Sequence, residues 1–366
     1  MSRRRRHKLR HFLDLNAAAQ KQPAEPAAVV QQTTITAVAY GPDKCHETSI
    51  SQPEEIRGLL GKWPVLWVRV IGVSDAAVIH KIGDIFLLHE LALEDVMHIH
   101  QRAKVEAYGD HLFIVLRSVA LEQGALVGEQ VSFFLGKGFI ISFEERPGIA
   151  SAGFAALDQR IRRGSGHLRS EQADYLLYSA IDSIIDGFFP VVEVTGEALE
   201  LLEDEIVEKT DRYTPARIHE LKRNVVSLRR AIWPARDAVN ILTREDTSDL
   251  LSNKTLIYMR DCYDHAMRII DLVETQREMC ADLMDLYLSS VSNRMNEIMK
   301  ILTLVTLVFM PPSLVAAIYG MNFTPIPAYS WKPGFEYALA LMLVTASIVW
   351  LWAHRRGWFS DDTTMK

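Results

Sequence analysis

Three groups of residues in this chain have the chemistry to handle a cation. Gly320-Met321-Asn322 places an amide directly behind a long apolar run. Glu94 and Asp95 form an acidic pair within LALEDVMHIHQR. His98 and His100 follow as His-x-His. On a strand both imidazoles would face one side and suit Zn2+ or Co2+; a helix start or a loop is the expectation here, and it favours no metal role. There is no glycine-rich phosphate loop, no GxSxG elbow and no HExxH, so an enzyme is poorly supported. Cys45, Cys262 and Cys280 lack CxxC spacing and read as reduced packing residues.

The elements that would position these residues are strongly asymmetric along the chain. Of 366 residues 49% are hydrophobic and 23% charged, with a net charge of −6. Those averages resemble a soluble protein, yet the long apolar segments are confined to about the last 70 residues. Residues 301–319 hold no charge, and their length suits a helix crossing a bilayer core, which needs about 20 residues at 1.5 Å each. A second apolar segment spans 335–353 and closes on His354-Arg355-Arg356. Arg294, Lys300, Arg355 and Arg356 lie on the outer sides of this two-helix unit. The positive-inside rule then puts both termini in the cytosol and the loop 320–334 outside. Tyr319, Tyr329 and Trp331 suit the outer interface, Trp352 and Trp358 the inner one.

Ahead of the membrane segments the chain reads in blocks. Residues 1–30 form a basic tail without period, expected to be disordered. Arg3–Arg6 could meet anionic lipid or nucleic acid; a solvated tail that helps fix orientation is the plainer reading, and no nucleic-acid partner is expected. No signal peptide is expected, because no apolar run follows the basic start. Residues 31–165 read as an α/β domain. Its strands are TTITAVAY, PVLWVRVIG, 104–108, 111–119, and a hairpin of 130–135 with 139–143; a helix spans 82–93. Residues 166–250 read as a helical hairpin with an acidic arm, 193–208, and a basic arm, 217–242, opened by a Thr214 cap and Pro215. From Asn253 no breaker occurs until Pro311, so a stalk, 251–300, should run straight into 301–319 as one helix roughly 100 Å long. A helix of that length calls for bundle partners, and hence an oligomer.

YGMNF after a membrane helix, a short loop, a second membrane helix and a basic end resemble the CorA family of divalent-cation channels. LALEDVMHIHQRAKVEAY, QADYLLYSAIDSIID, LKRNVVSLRRAIWPARD, YMRDCYDHA and YLSSVSNRMNEIMKILTLVTLVFMPP are also similar to that family's stretches, in its order. The resemblance covers the chain from about residue 50 to the end. It implies an α+β fold: an N-terminal cytosolic α/β domain, a long stalk helix continuing into two C-terminal membrane helices, and a funnel-shaped homopentamer in the cytoplasmic membrane. It implies inward transport of Mg2+, with Co2+ and Ni2+ as further substrates in many members and Zn2+ in some.

Residue roles follow from that resemblance. Gly320, Met321 and Asn322 would form the selectivity ring. Mg2+ releases its waters reluctantly, so amide and carbonyl oxygens from five copies are better suited to hold the hydrated ion than to strip it. A helix C-cap is the plainer role for Gly320 and Asn322, and the two are compatible. Asn296, Met299, Leu302, Thr306, Met310, Ser313, Ala317 and Gly320 recur at steps of three or four and share one helix side. They match the family's pore-lining side; an ordinary packed face is the alternative. Met299 and Leu302 would narrow the inner end as apolar rings. Pro311-Pro312 predicts a kink that frees backbone carbonyls.

The resemblance further implies regulatory Mg2+ at subunit boundaries, with Asp95 and Asp261 as one site and Glu94, Asp182 and His265 as a second. Read from sequence alone, such helical acids are mostly solvated. One departure stands out: the outer loop FTPIPAYSWKPG has no acid and holds Lys332, which removes electrostatic capture at the mouth. Three functions are therefore weighed: a Mg2+/Co2+ channel, a Zn2+ transporter on the same scaffold, and a membrane-anchored metal sensor without transport.

Overall fold

The computed structural model describes residues 33–164, 166–208, 211–321 and 332–356. The basic tail, Asn322, Tyr329, Trp331 and Trp358 lie outside the described residues. The chain divides into two compact units, one of residues 1–205 and 212–284 and one of 206–211 and 285–366.

The first unit is built on a seven-stranded mixed sheet in the order β2-β1-β3-β7-β6-β5-β4. The strands are β1 Thr34–Tyr40, β2 Cys45–Ile50, β3 Val65–Ile71, β4 Lys104–Tyr108, β5 His111–Glu122, β6 Ala125–Gly136 and β7 Phe139–Glu144. Only β3 and β7 pair in parallel, with Val68 opposite Ile141; every other pairing is antiparallel. Central β3 is buried at six of its seven positions, as expected of a strand covered on both faces. One face packs on helices α1 (Ala76–Phe86) and α2 (Glu90–Met97), through Ile79, Ile82, Phe86, Leu93 and Val96. The other meets α3 (Ile149–Arg163), α4 (Ala173–Asp186) and α6 (Thr214–Leu242). Trp67 and Phe133 there stack edge-on against Phe154 of α3, at 5.8 and 6.0 Å between ring centres.

A buried ion network ties this second face to the sheet. Arg69 on β3 donates to Glu144 Oε1 on β7 at 3.1 and 3.2 Å and to Asp158 Oδ2 on α3 at 2.6 Å. Ser151 donates to the other Glu144 oxygen. Removing one partner of such a buried set leaves a charge unpaired, at a cost of about 3–5 kcal/mol.

Two local expectations are corrected, and two further features lie outside them. The helix expected over 82–93 is two helices. Leu87 ends α1 in the left-handed region, at φ 57°, and His89 starts α2 by accepting the Leu91 N–H on Nδ1. The two helices approach closely at Gly83, where a Cβ would sit 2.3 Å from Leu93 Cδ1. The apolar run that begins at Glu171 breaks at Gly187 into α4 and α5 (Phe188–Glu208). Thr214 is the first residue of α6, not its cap; Tyr213 holds the cap position. Strand β2 was not foreseen.

Helix α7 runs unbroken from Asn253 to Tyr319, through Pro311 and Pro312, and α8 spans Gly334–Arg355. Three described segments are long and apolar enough to cross a membrane. In Ala173–Glu208 the apolar window is 61% buried inside the fold, which marks core helices. In α7 it is 0% buried and in α8 11%, so these two helices carry the long apolar surfaces that the fold itself does not cover.

Candidate metal-binding and pore residues

The local helix geometry explains why the acids of α4 and α7 meet. Asp182 and Asp186 are four residues apart on α4, and Asp261 and His265 four apart on α7, so each pair shares a helix side. His265 Nδ1 lies 3.1 Å from Asp186 Oδ1 and 3.9 Å from Asp182 Oδ1, and its Nε2 lies 4.0 Å from Asp261 Oδ2. Phe189 sets its ring edge-on to the imidazole at 6.0 Å.

One potential ligand atom from each of Asp182, Asp186 and His265 falls within 4.8 Å of the others. Asp182 Oδ1 is buried and accepts no hydrogen bond. Burial, then the neighbouring Asp186 charge, pushes the Asp182 carboxyl up to about 6. A divalent cation here would relieve both the repulsion and the unsatisfied oxygen. Asp182, Asp261 and His265 are thus brought together within one chain. Asp186 joins them unforeseen, although its i+4 spacing from Asp182 in AIDSIID is visible in the sequence.

Glu94 and Asp95 stand on α2, outside that group. Glu94 is exposed. Asp95 is half-buried, with Oδ2 2.7 Å from Lys104 Nζ on β4. The backbone around it is fixed by Gln130 on β6, whose amide donates to the Asp95 carbonyl at 3.0 Å and accepts from the Gln101 N–H at 2.9 Å. His98 and His100 are exposed in the loop after α2. Each Nδ1 contacts a backbone carbonyl, that of Glu94 and that of Ile99, so the two rings form no common donor pair.

In the second unit, the candidate pore residues occupy one exposed row of α7. Asn296, Met299, Leu302, Thr306, Met310, Ser313, Ala317 and Gly320 are all exposed. Leu304, Val308, Pro311, Pro312, Val315 and Tyr319 are half-buried. At about 100° per residue the two rows fall on opposite sides of the helix. Thr306 and Ser313 bond back to the carbonyls of Leu302 and Phe309, at 2.9 and 2.8 Å, so the hydroxyls are carried without breaking the helix. Gly320 donates to the Ala316 carbonyl at 2.9 Å and is not in the left-handed region. The helix ends there without a left-handed glycine cap, and Met321 follows, exposed.

Comparison with known proteins places this arrangement. A family model described as CorA-like Mg2+ transporter protein matches residues 64–355, from β3 to the end of α8. The chain is 38% identical over 326 residues to the cobalt/magnesium transport protein CorA of Thermotoga maritima, covering 88% of this chain and 92% of that protein. The solved complete CorA magnesium transporter of Methanocaldococcus jannaschii has the same fold, with a TM-score of 0.75 at 22% identity, covering 88% of this chain and 98% of that one. The cytoplasmic domain of ZntB from Vibrio parahaemolyticus shares the fold at a TM-score of 0.57 and 14% identity, over 72% of this chain and all of that one.

Proposed function

We propose, from the premise that the chain belongs to the CorA-like Mg2+ transporter family, that it conducts hydrated Mg2+, and Co2+ with it, across the cytoplasmic membrane into the cell. The observation that carries this reading is the family match over 64–355 together with the sequence Tyr319-Gly320-Met321-Asn322-Phe323 directly behind the first long apolar run. In this reading five chains assemble with the exposed row of α7 facing a central pore, and both termini lie in the cytosol. Exposure of Met299, Leu302 and Met310 in a single chain supports that role, since these apolar side chains are left for neighbours or for the pore. Met299 and Leu302 then form the narrow inner end, where a ring of apolar side chains can stop ion flow by excluding water.

Gly320 to Asn322 recognise the ion through its water shell. The amide oxygen of Asn322 and the last carbonyls of α7 accept hydrogen bonds from coordinated water, and no dehydration is required. The uncharged loop beside them adds no electrostatic capture.

Closure follows from Mg2+ held by the acids of the first unit. Asp95 of one subunit and Asp261 of its neighbour are one ligand pair. Glu94 joins Asp182 and His265 in the second, where Asp186 adds a further oxygen. The chemistry of the donors fits: three carboxylates stand around one imidazole, and a buried Asp182 oxygen lacks a hydrogen bond. When cytosolic Mg2+ falls, the carboxylates repel, subunits separate slightly and the pore opens.

The test is growth rescue of a strain lacking Mg2+ uptake, with flux of Mg2+, Co2+ and Zn2+ into liposomes carrying the purified protein. Mg2+ and Co2+ flux with rescue is expected. Flux of Zn2+ alone would replace this reading with a zinc transporter, a reading to which the shared fold with ZntB lends the scaffold. No flux of any ion would leave a membrane-anchored sensor.

A further inference from the structure

We propose that Lys104 is a tethered counter-cation that competes with Mg2+ for Asp95 and so sets the Mg2+ level at which the channel closes. The inference rests on Asp95 being a regulatory ligand, as proposed above.

The Lys104 ammonium lies between two carboxylates, 2.7 Å from Asp95 Oδ2 and 2.9 Å from Glu106 Oε2. Its side chain is 27% exposed and that of Asp95 22%, so solvent screens the pair only in part. The Tyr108 hydroxyl donates to the same Glu106 oxygen at 2.8 Å and holds that side of the cradle. Lys104 also sits 5.7 Å from the centre of the Phe113 ring, whose face favours a cation. Burial works against the Lys104 charge, and the two carboxylates within hydrogen-bonding distance offset it. Lys104 and Glu106 are two apart on β4 and therefore share a strand face.

Two features make this a competitor rather than a brace. First, the backbone at Asp95 is held by Gln130, not by Lys104. Second, an ammonium on a flexible stem can leave without disturbing the strand that carries it. A carboxylate already paired with an ammonium binds Mg2+ only in the fraction of molecules where the pair is open, and the apparent affinity falls by that fraction. Partly exposed pairs of this type bias an equilibrium by roughly two- to five-fold.

The experiment measures inhibition of current by internal Mg2+ in the full-length protein. Lys104→Gln should lower the half-inhibitory Mg2+ by about two- to five-fold, and Lys104→Arg should stay close to the parent. Glu106→Gln removes the alternative partner, leaves Lys104 wholly on Asp95, and should raise the half-inhibitory Mg2+. This opposite sign keeps the proposal testable even if Lys104→Gln does not fold. Asp95→Ala serves as the control. If Asp95→Ala weakens inhibition while Lys104→Gln leaves it unchanged or weakens it too, the competition is wrong and the regulatory reading survives. If Asp95→Ala leaves inhibition unchanged, both fall.

Discussion

Asp182 and His265 stand 3.9 Å apart across α4 and α7, and the Asp182 oxygen that faces the imidazole is buried without a hydrogen bond. A carboxylate in that position holds its proton more tightly when folded than when unfolded, pushed up to about 6 by burial and by Asp186. The folded state then binds more protons between about pH 4 and 6, so the stability of the metal-free protein falls as pH rises through that window. A two-unit shift corresponds to about 3 kcal/mol, and solvent screening at this partly exposed site reduces it to on the order of 1 kcal/mol. Asp182→Asn should remove the pH slope and raise the thermal midpoint at pH 7.5 in chelator. An unchanged slope in thermal melts across pH 4–7 would show that the proton sits elsewhere.

The proposed closure by Mg2+ assigns Asp95 and Asp261 to one ligand pair. Replacing both by Ala should weaken inhibition of current by internal Mg2+ by at least about ten-fold, equivalent to roughly 1.4 kcal/mol of lost closed-state preference. Equal inhibition of the double variant and the parent, recorded side by side, would end the two-acid account.

Met299 and Leu302 are the apolar pair in the exposed α7 row nearest the stalk, 54% and 57% exposed in the single chain. In the proposed pore, Met299→Asn or Leu302→Asn would let water persist where an apolar ring excludes it. Mg2+ flux into liposomes at millimolar internal Mg2+ should rise several-fold. A row facing lipid instead would leave flux unaltered or impair insertion.

Leu87 is 81% exposed and takes φ 57°, a conformation that strains any side chain with a Cβ. Its N–H bond to the Gly83 carbonyl belongs to the backbone and would persist on substitution. Leu87→Gly should therefore stabilise the protein by about 0.5–1 kcal/mol, read as a higher thermal midpoint. A lower midpoint would mean that the exposed leucine packs on a neighbouring chain.

How far the sequence foretells the structure depends on what each element is made of. Helix α7 was legible because apolar residues recur at three and four from Asn253 onward and nothing before Pro311 interrupts them. Strand β2 was not: in Cys45–Ile50 only Ile50 is fully buried, so no apolar alternation marks it. The break between α1 and α2 is hidden because Leu87 and Leu88 continue the apolar pattern, while the left-handed turn falls on a leucine. Asp182 and His265 could be paired only through the family resemblance, since 83 residues separate them. Asp186 needed the packing of α4 on α7, and the Lys104–Asp95 pair needed the approach of β4 to α2.

The two outer strands of the sheet carry a further consequence. On β2, His46 is exposed, and Glu47 pairs with Arg162 of α3 at 2.6 Å. On β4 the cradle of Lys104 and Glu106 occupies the opposite border. An open apolar border would be a template for strand-by-strand growth between chains, and charged borders oppose it. Copies of this chain would therefore meet a sheet that does not invite extension. Any association between them would fall to helices and loops, which can shift against one another without unzipping a shared ladder of backbone hydrogen bonds.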